Sequence, residues 1–225
     1  VRKVYRREAA VVHPPVDIER FVPRHADTPK DDFYLAASRL VPYKHMPMIA
    51  AAFSRMPQRR LVVIGDGPEM AKLRAAAGPN VTVLGYQDDA VLVDHMQRAR
   101  AFVFAAEEDF GIAPVEAQAC GTPVIAFGRG GALDSVCADA DPHRRTGLFF
   151  DAQTPEALID AVEAFEALPV PISSQVCRQR AELFSQARFR AAMRSLVEQR
   201  WQAFRADAEA PVSLTESLPT WTPHA

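Results

Sequence analysis

Arg39 and Lys44 lie five residues apart in Ser38-Arg39-Leu40-Val41-Pro42-Tyr43-Lys44. A guanidinium fork and an ammonium point charge at that spacing, on a loop leaving a strand, can clamp a diphosphate. Alone, the pair reads rather better as two solvated surface cations. Only four of the 26 basic residues are lysine (Lys3, Lys30, Lys44, Lys72), so a placed lysine says more here than a placed arginine. A second constellation is Glu107-Glu108-Asp109-Phe110-Gly111-Ile112-Ala113-Pro114-Val115-Glu116. Glu108 and Glu116 bracket seven residues, one on a loop and one inside a helix. Carboxylates accept hydrogen bonds from hydroxyls, so this pair suits a sugar and a ribose. Glu107 and Asp109 read as capping and solvation at the positive end of the helix. Free N–H groups around Phe110-Gly111-Ile112 can meet a phosphate at the same helix start.

Two further turns are built from small residues. Gly65-Asp66-Gly67-Pro68-Glu69-Met70 opens like G-x-G-x-x-G, but Met70 stands where the third glycine belongs. A tight strand-to-helix turn with Pro68 as first helical residue is the better reading. Gly128-Arg129-Gly130-Gly131 is a turn whose N–H groups can approach an anion, or a plain turn. No G-x-x-x-x-G-K phosphate loop occurs in the sequence.

These residues need strands behind them. Short apolar runs predict strands at Ala10–His13, Asp32–Ala37, Arg60–Ile64, Val81–Leu84, Ala101–Ala105, Pro123–Phe127 and Leu148–Phe150. Most are solidly apolar rather than alternating, as strands covered on both faces must be. Helical patterns fall between them at Pro47–Met56, Pro68–Ala77, Ala90–Ala99, Ala113–Ala119 and Pro155–Phe165, the last with Thr154 as N-cap. The alternation predicts an α/β fold: a Rossmann-like, doubly wound parallel sheet that binds ligands at the carboxyl ends of its strands. Residues 175–206 read as one or two amphipathic helices. The expected organisation is therefore one domain over 1–206 and a Pro-, Ser- and Thr-rich disordered tail over 207–225.

The 225 residues carry 26 basic and 28 acidic groups, a net −2, which argues against a nucleic-acid partner. Residues 1–60 hold 12 basic and 6 acidic groups, whereas 61–170 hold 7 and 17. Three cysteines without a C-x-x-C pair fit neither a disulfide framework nor a zinc cage. No apolar run approaches the roughly 20 residues of a membrane span, and a cytoplasmic location is expected.

Taken in order, Ser38-Arg39…Lys44, Gly65-Asp66-Gly67-Pro68-Glu69, Glu108-x₇-Glu116 and Ala119-Cys120-Gly121-Thr122-Pro123-Val124 resemble retaining, nucleotide-sugar-dependent glycosyltransferases of family 4. The resemblance covers roughly residues 5–205. Pro14-Pro15-Val16-Asp17 and Thr146-Gly147…Phe150 look most like the mannosyltransferase branch that builds bacterial polysaccharides and O-antigens. It implies the two-Rossmann-domain architecture called GT-B, with this chain as the donor-binding half. Arg39 and Lys44 would hold the donor diphosphate and stabilise the leaving group, Glu108 the transferred sugar, and Glu116 the ribose. Backbone of Phe110, Gly111 and Ile112 would contact sugar and phosphate, and Gly85-Tyr86 would lie beside the base.

The resemblance further implies a GDP-mannose donor, no cofactor and no metal. The acceptor would be a glycan or lipid-linked, reached at the inner face of the membrane, and an N-terminal acceptor domain would be missing. Such a chain alone is expected to bind donor and transfer nothing. A stand-alone nucleotide-sugar-binding module, a nucleotide-sugar epimerase, and a glycoside hydrolase using Glu108 and Glu116 are the competing readings.

Overall fold

The computed structural model describes residues 2–6, 8–24 and 29–209. These form two units, one reaching to Phe189 and one starting at Arg190. The first opens with a one-turn helix, Arg2–Tyr5 (α1), where no element was expected. Six strands follow: Tyr34–Ala37 (β1), Leu61–Ile64 (β2), Val81–Gly85 (β3), Ala101–Phe104 (β4), Val124–Phe127 (β5) and Gly147–Phe150 (β6). Between and after them run helices Met46–Ser54 (α2), Met70–Ala76 (α3), Asp89–Arg98 (α4), Ile112–Ala119 (α5), Ala132–Ser135 (α6), Pro155–Glu166 (α7), Ser174–Glu182 (α8) and Gln186–Glu209 (α9).

The strands form one parallel sheet in the order β3-β2-β1-β4-β5-β6. Tyr34 stands opposite Leu61 on one side and Ala101 on the other. The chain thus winds outward from β1 to β3, then returns to lay β4 against the free side of β1. That reversal opens a crevice beyond the carboxyl ends of β1 and β4.

Period-two alternation divides the core. Leu35, Ala37, Phe102, Phe104, Val124 and Ala126 face one layer, together with residues of α4, α5 and α8. Tyr34, Ala36, Ala101, Val103, Ile125 and Phe127 face the other, with α2, α3 and α7. Both central strands, β1 and β4, bury all their residues, which is why their runs are apolar without alternation. Helix α7 starts as its sequence predicts, with Thr154 Oγ1 accepting from the Ala157 N–H at 3.3 Å and Pro155 in the first turn.

The strand expected at Ala10–His13 is absent; the segment carries no ladder. Pro14 and Pro15 follow it without N–H groups to continue one. Pairing here is a single parallel bridge between Val16 and Ser185. Helix α3 begins at Met70, so Pro68 precedes it rather than opening it, and Glu69 takes the N-cap place. Helix α9 continues to Glu209, beyond residue 206, and the expected tail lies from residue 210 outside the described residues. Among the described residues no helix is long and apolar enough to cross a membrane.

Candidate functional site

The loop after β1 is stapled to the turn after β2. Ser38 N–H donates to the Ile64 carbonyl at 3.0 Å, Leu40 N–H to that of Asp66 at 2.9 Å, and Glu69 N–H to that of Leu40 at 3.0 Å. Gly65 makes this possible: a Cβ there would sit 1.8 Å from the Ser38 carbonyl oxygen, and its φ is +135°. The Gly-Asp-Gly motif is therefore the backing of the Arg39 loop. Beyond buried Leu40, a 3₁₀ turn over Pro42–Lys44 ends at His45, whose left-handed φ of 54° turns the chain into α2. This leaves Lys44 at the end of a short, doubly anchored loop.

The loop after β4 is stapled to the turn after β5. Gly131 N–H donates to the Glu108 carbonyl at 2.7 Å. A Cβ on Gly131 would stand 2.1 Å from Phe110 Cα, so the two backbones touch directly. Phe110 is buried and packs its ring against His13 and Phe184, centroids 5.4 and 5.2 Å away. Gln153 Nε2 donates to the Ala105 carbonyl at 2.8 Å. With Phe110 pinned inside, Glu107, Glu108 and Asp109 are held outward over the crevice.

Across that crevice Lys44 Nζ and Glu108 Oε1 form an ion pair, joining residues 64 apart in sequence. Their side chains are 16% and 21% exposed. The ammonium also lies 5.3 Å from the Tyr43 ring centroid and 5.6 Å from that of Phe104. An open hollow of about 720 Å³ contains the pair, lined also by Glu107, Asp109, Phe110, Gly111, Ile112 and Glu116. A second hollow, about 450 Å³, is lined by Ser38, Arg39, Gly65, Asp66, Tyr86, Gln87, Asp89 and Glu116. Ala113 and Glu116 line both, so the two hollows adjoin along a groove. Burial pushes the Glu116 carboxyl above the ordinary range; nearby Arg20 opposes the shift and Asp17 adds to it.

The residues singled out in sequence meet here unequally. Lys44, Glu108, Phe110, Gly111, Ile112 and Glu116 share the first hollow; Arg39, Tyr86 and Glu116 share the second. Gly111 stands at the N-cap of α5 and lines the first hollow with Ile112, where first-turn N–H groups have no partner within the helix. Gly85 ends β3, and its carbonyl accepts from Gly65 N–H at 2.8 Å; its neighbour Tyr86 lines the hollow. Gly128-Arg129-Gly130-Gly131 is no anion cradle. The N–H groups of Gly128, Arg129 and Gly131 are already given to Phe150, Phe127 and Glu108 carbonyls at 2.7–2.8 Å. Asp66, Gln87 and Asp89 also line the second hollow, although the sequence reading gives them no site role; each follows a strand end, where lining residues are expected. Arg20, which pairs with Asp89 at the rim, carried no local signal among 22 arginines.

Residues 17–184 match the family model described as glycosyl transferases group 1. Over 172 residues the chain is 33% identical to a D-inositol 3-phosphate glycosyltransferase of Mycobacteroides abscessus, covering 68% of this chain and 38% of that protein. Over 193 residues it is 30% identical to a GDP-mannose-dependent alpha-(1-6)-phosphatidylinositol dimannoside mannosyltransferase of Mycobacterium tuberculosis, covering 79% and 49%. Among solved structures, sucrose-phosphate synthase from Thermosynechococcus elongatus superposes with a TM-score of 0.69 at 25% identity, covering 85% of this chain and 52% of that one. The chain thus spans half or less of the length of these curated relatives. With its strand order, its paired loops and a family match over most of its length, this chain belongs to the glycosyl transferases group 1 family.

Proposed function

We propose that this chain is the donor-binding half of a retaining glycosyltransferase that moves mannose from GDP-mannose to a hydroxyl of a glycan or lipid-linked acceptor. The observation that carries the reading is the meeting of Lys44 and Glu108 across the crevice, with Glu116 joining the two hollows. A sugar nucleotide laid along this groove puts its base beside Tyr86 and its ribose hydroxyls on Glu116. Its diphosphate lies between Arg39, Lys44 and the α5 N-terminus, and its hexose against Glu108. The cations then take up the charge that develops on the departing diphosphate, while the acceptor hydroxyl attacks from the same face. Mannose and guanine rest on the M. tuberculosis relative, which is GDP-mannose-dependent. The acceptor is assigned to a part of such longer proteins that this chain does not span, and the reaction to the cytoplasmic side of a membrane.

Titration calorimetry tests the reading. GDP is expected to bind the chain more tightly than UDP without added metal, and GDP-mannose to release no more than slow hydrolysis product. Absence of binding by GDP, UDP and GDP-mannose at millimolar concentration would refute the donor site. Sugar transfer by this chain alone, to lipid-linked or free oligosaccharide acceptors, would refute its assignment as a half.

A further inference from the structure

We infer that Glu108 is a selectivity device as well as a sugar contact: by pairing with Lys44, it makes the groove prefer a sugar nucleotide over the nucleoside diphosphate left after transfer. The inference rests on the donor site proposed above. Lys44 is the cation in its hollow, and it is already paired. Around it stand Glu107, Asp109 and Glu116, so the hollow is acidic apart from that lysine. A bare diphosphate that takes up Lys44 draws it away from Glu108. Glu108 is then a half-buried carboxylate without its partner, next to incoming phosphate charge, which is unfavourable.

A sugar nucleotide changes the balance. Its hexose hydroxyls donate to the Glu108 carboxylate at the moment Lys44 turns to the phosphate, so both ends of the broken pair find new partners. Once the sugar has been transferred those donors leave with it. Glu108 can then recapture Lys44, and the diphosphate loses a cation. Donor binding and product release are thus two directions of one exchange, set by whether hydroxyls face Glu108. Glu107 is a built-in comparison: it lines the same hollow with the same charge, but it is exposed and Glu108, not Glu107, holds the lysine.

Calorimetric affinities for GDP and GDP-mannose are the test, on the parent, Glu108→Gln, Glu108→Ala, Glu107→Gln, Lys44→Ala and Lys44→Ala/Glu108→Gln. Freeing Lys44 should tighten GDP about threefold to tenfold in both Glu108 variants, the scale of a partly exposed ion pair. GDP-mannose should not gain, so the ratio of the two affinities falls. Glu107→Gln should change GDP less than twofold, and adding Glu108→Gln to Lys44→Ala should bring no gain. The exchange is overturned if neither Glu108 variant tightens GDP, if Glu107→Gln does so equally, or if the gain persists without Lys44. In those cases a parent that binds GDP, weakened by Lys44→Ala, still upholds the donor site. A parent that binds neither ligand removes the site and the exchange together.

Discussion

Arg39 and Lys44 differ in what each must give up to meet a phosphate. The Arg39 side chain is exposed beside the hollow that holds Tyr86 and has no ion pair among the described residues, whereas Lys44 leaves Glu108. Arg39→Ala is therefore expected to weaken diphosphate binding by about 1.5–3 kcal/mol, the range for hydrogen bonds to charged groups, and Lys44→Ala by the lower end of it. Arg39→Lys should restore only part, because the planar fork is lost. Parent-like binding by both alanine variants would return the two cations to the solvent. Glu116 adds a pH signature. Burial raises its carboxyl, so the carboxylate proposed to accept from the ribose is lost as pH falls through a value above the ordinary carboxylate range. GDP affinity should drop there while pyrophosphate affinity does not, and Glu116→Gln should weaken GDP and erase the inflection. Equal loss of both ligands would contradict the ribose role.

At the scale of elements, two substitutions separate holding the site from holding the fold. Gly65→Ala would drive a methyl into the Ser38 carbonyl and force the β2–α3 turn away from the Arg39 loop. It should cost more than about 1 kcal/mol of stability and also weaken GDP binding, since the loop is displaced with the turn. Thr154→Ala removes the cap of α7, whose core residues lie in the sheet layer shared with α2 and α3. It should cost about 1 kcal/mol in urea denaturation and leave GDP affinity as it was. A Gly65→Ala protein with unchanged GDP affinity would show that the two loops are not mechanically joined.

For the whole molecule, buried titratable groups set the alkaline limit of stability. Burial lowers the Lys30 ammonium to about 8, although its Nζ donates to the Gln97 carbonyl and to Thr122 Oγ1, both at 2.7 Å. Burial also pushes the Cys120 and Cys177 thiols up to about 12, and the Tyr34 phenol is raised as well by burial and its bond to Glu166. Between about 8 and 10.5 the unfolded chain keeps a Lys30 proton that the folded chain has lost, so this term favours folding as pH rises. Above 9 the folded chain keeps two thiol protons that the unfolded chain loses, and this opposite term is the larger. Stability is expected to peak near pH 9 and then to fall as pH rises further. Cys120→Ala/Cys177→Ala should remove the fall until Tyr34 begins to titrate in the unfolded chain. Urea titrations across that range decide it; an identical decline in the double variant would exclude the thiols as its source.

The sequence by itself determined the six strands of the sheet, the start of α7 and the loops that follow the strands. Unbroken apolar runs such as Leu61–Ile64 and Ala101–Phe104 encode burial on both faces, and Thr154-Pro155 encodes a helix start; these signals depend only on near neighbours in the chain. The same locality explains the errors. Ala10–His13 has the composition of a strand but no sheet edge to join, and Gly130-Gly131 has the look of an anion turn but spends its backbone on the Glu108 loop. Which loops face one another was decided by tertiary structure. Lys44 and Glu108 meet because β4 returns to the free side of β1, and Arg20 reaches Asp89 because the N-terminal segment folds back toward α4. Strand order is a property of the packed sheet as a whole. No short stretch of chain carries it, so the ion pair at the centre of the site is invisible until the sheet is assembled.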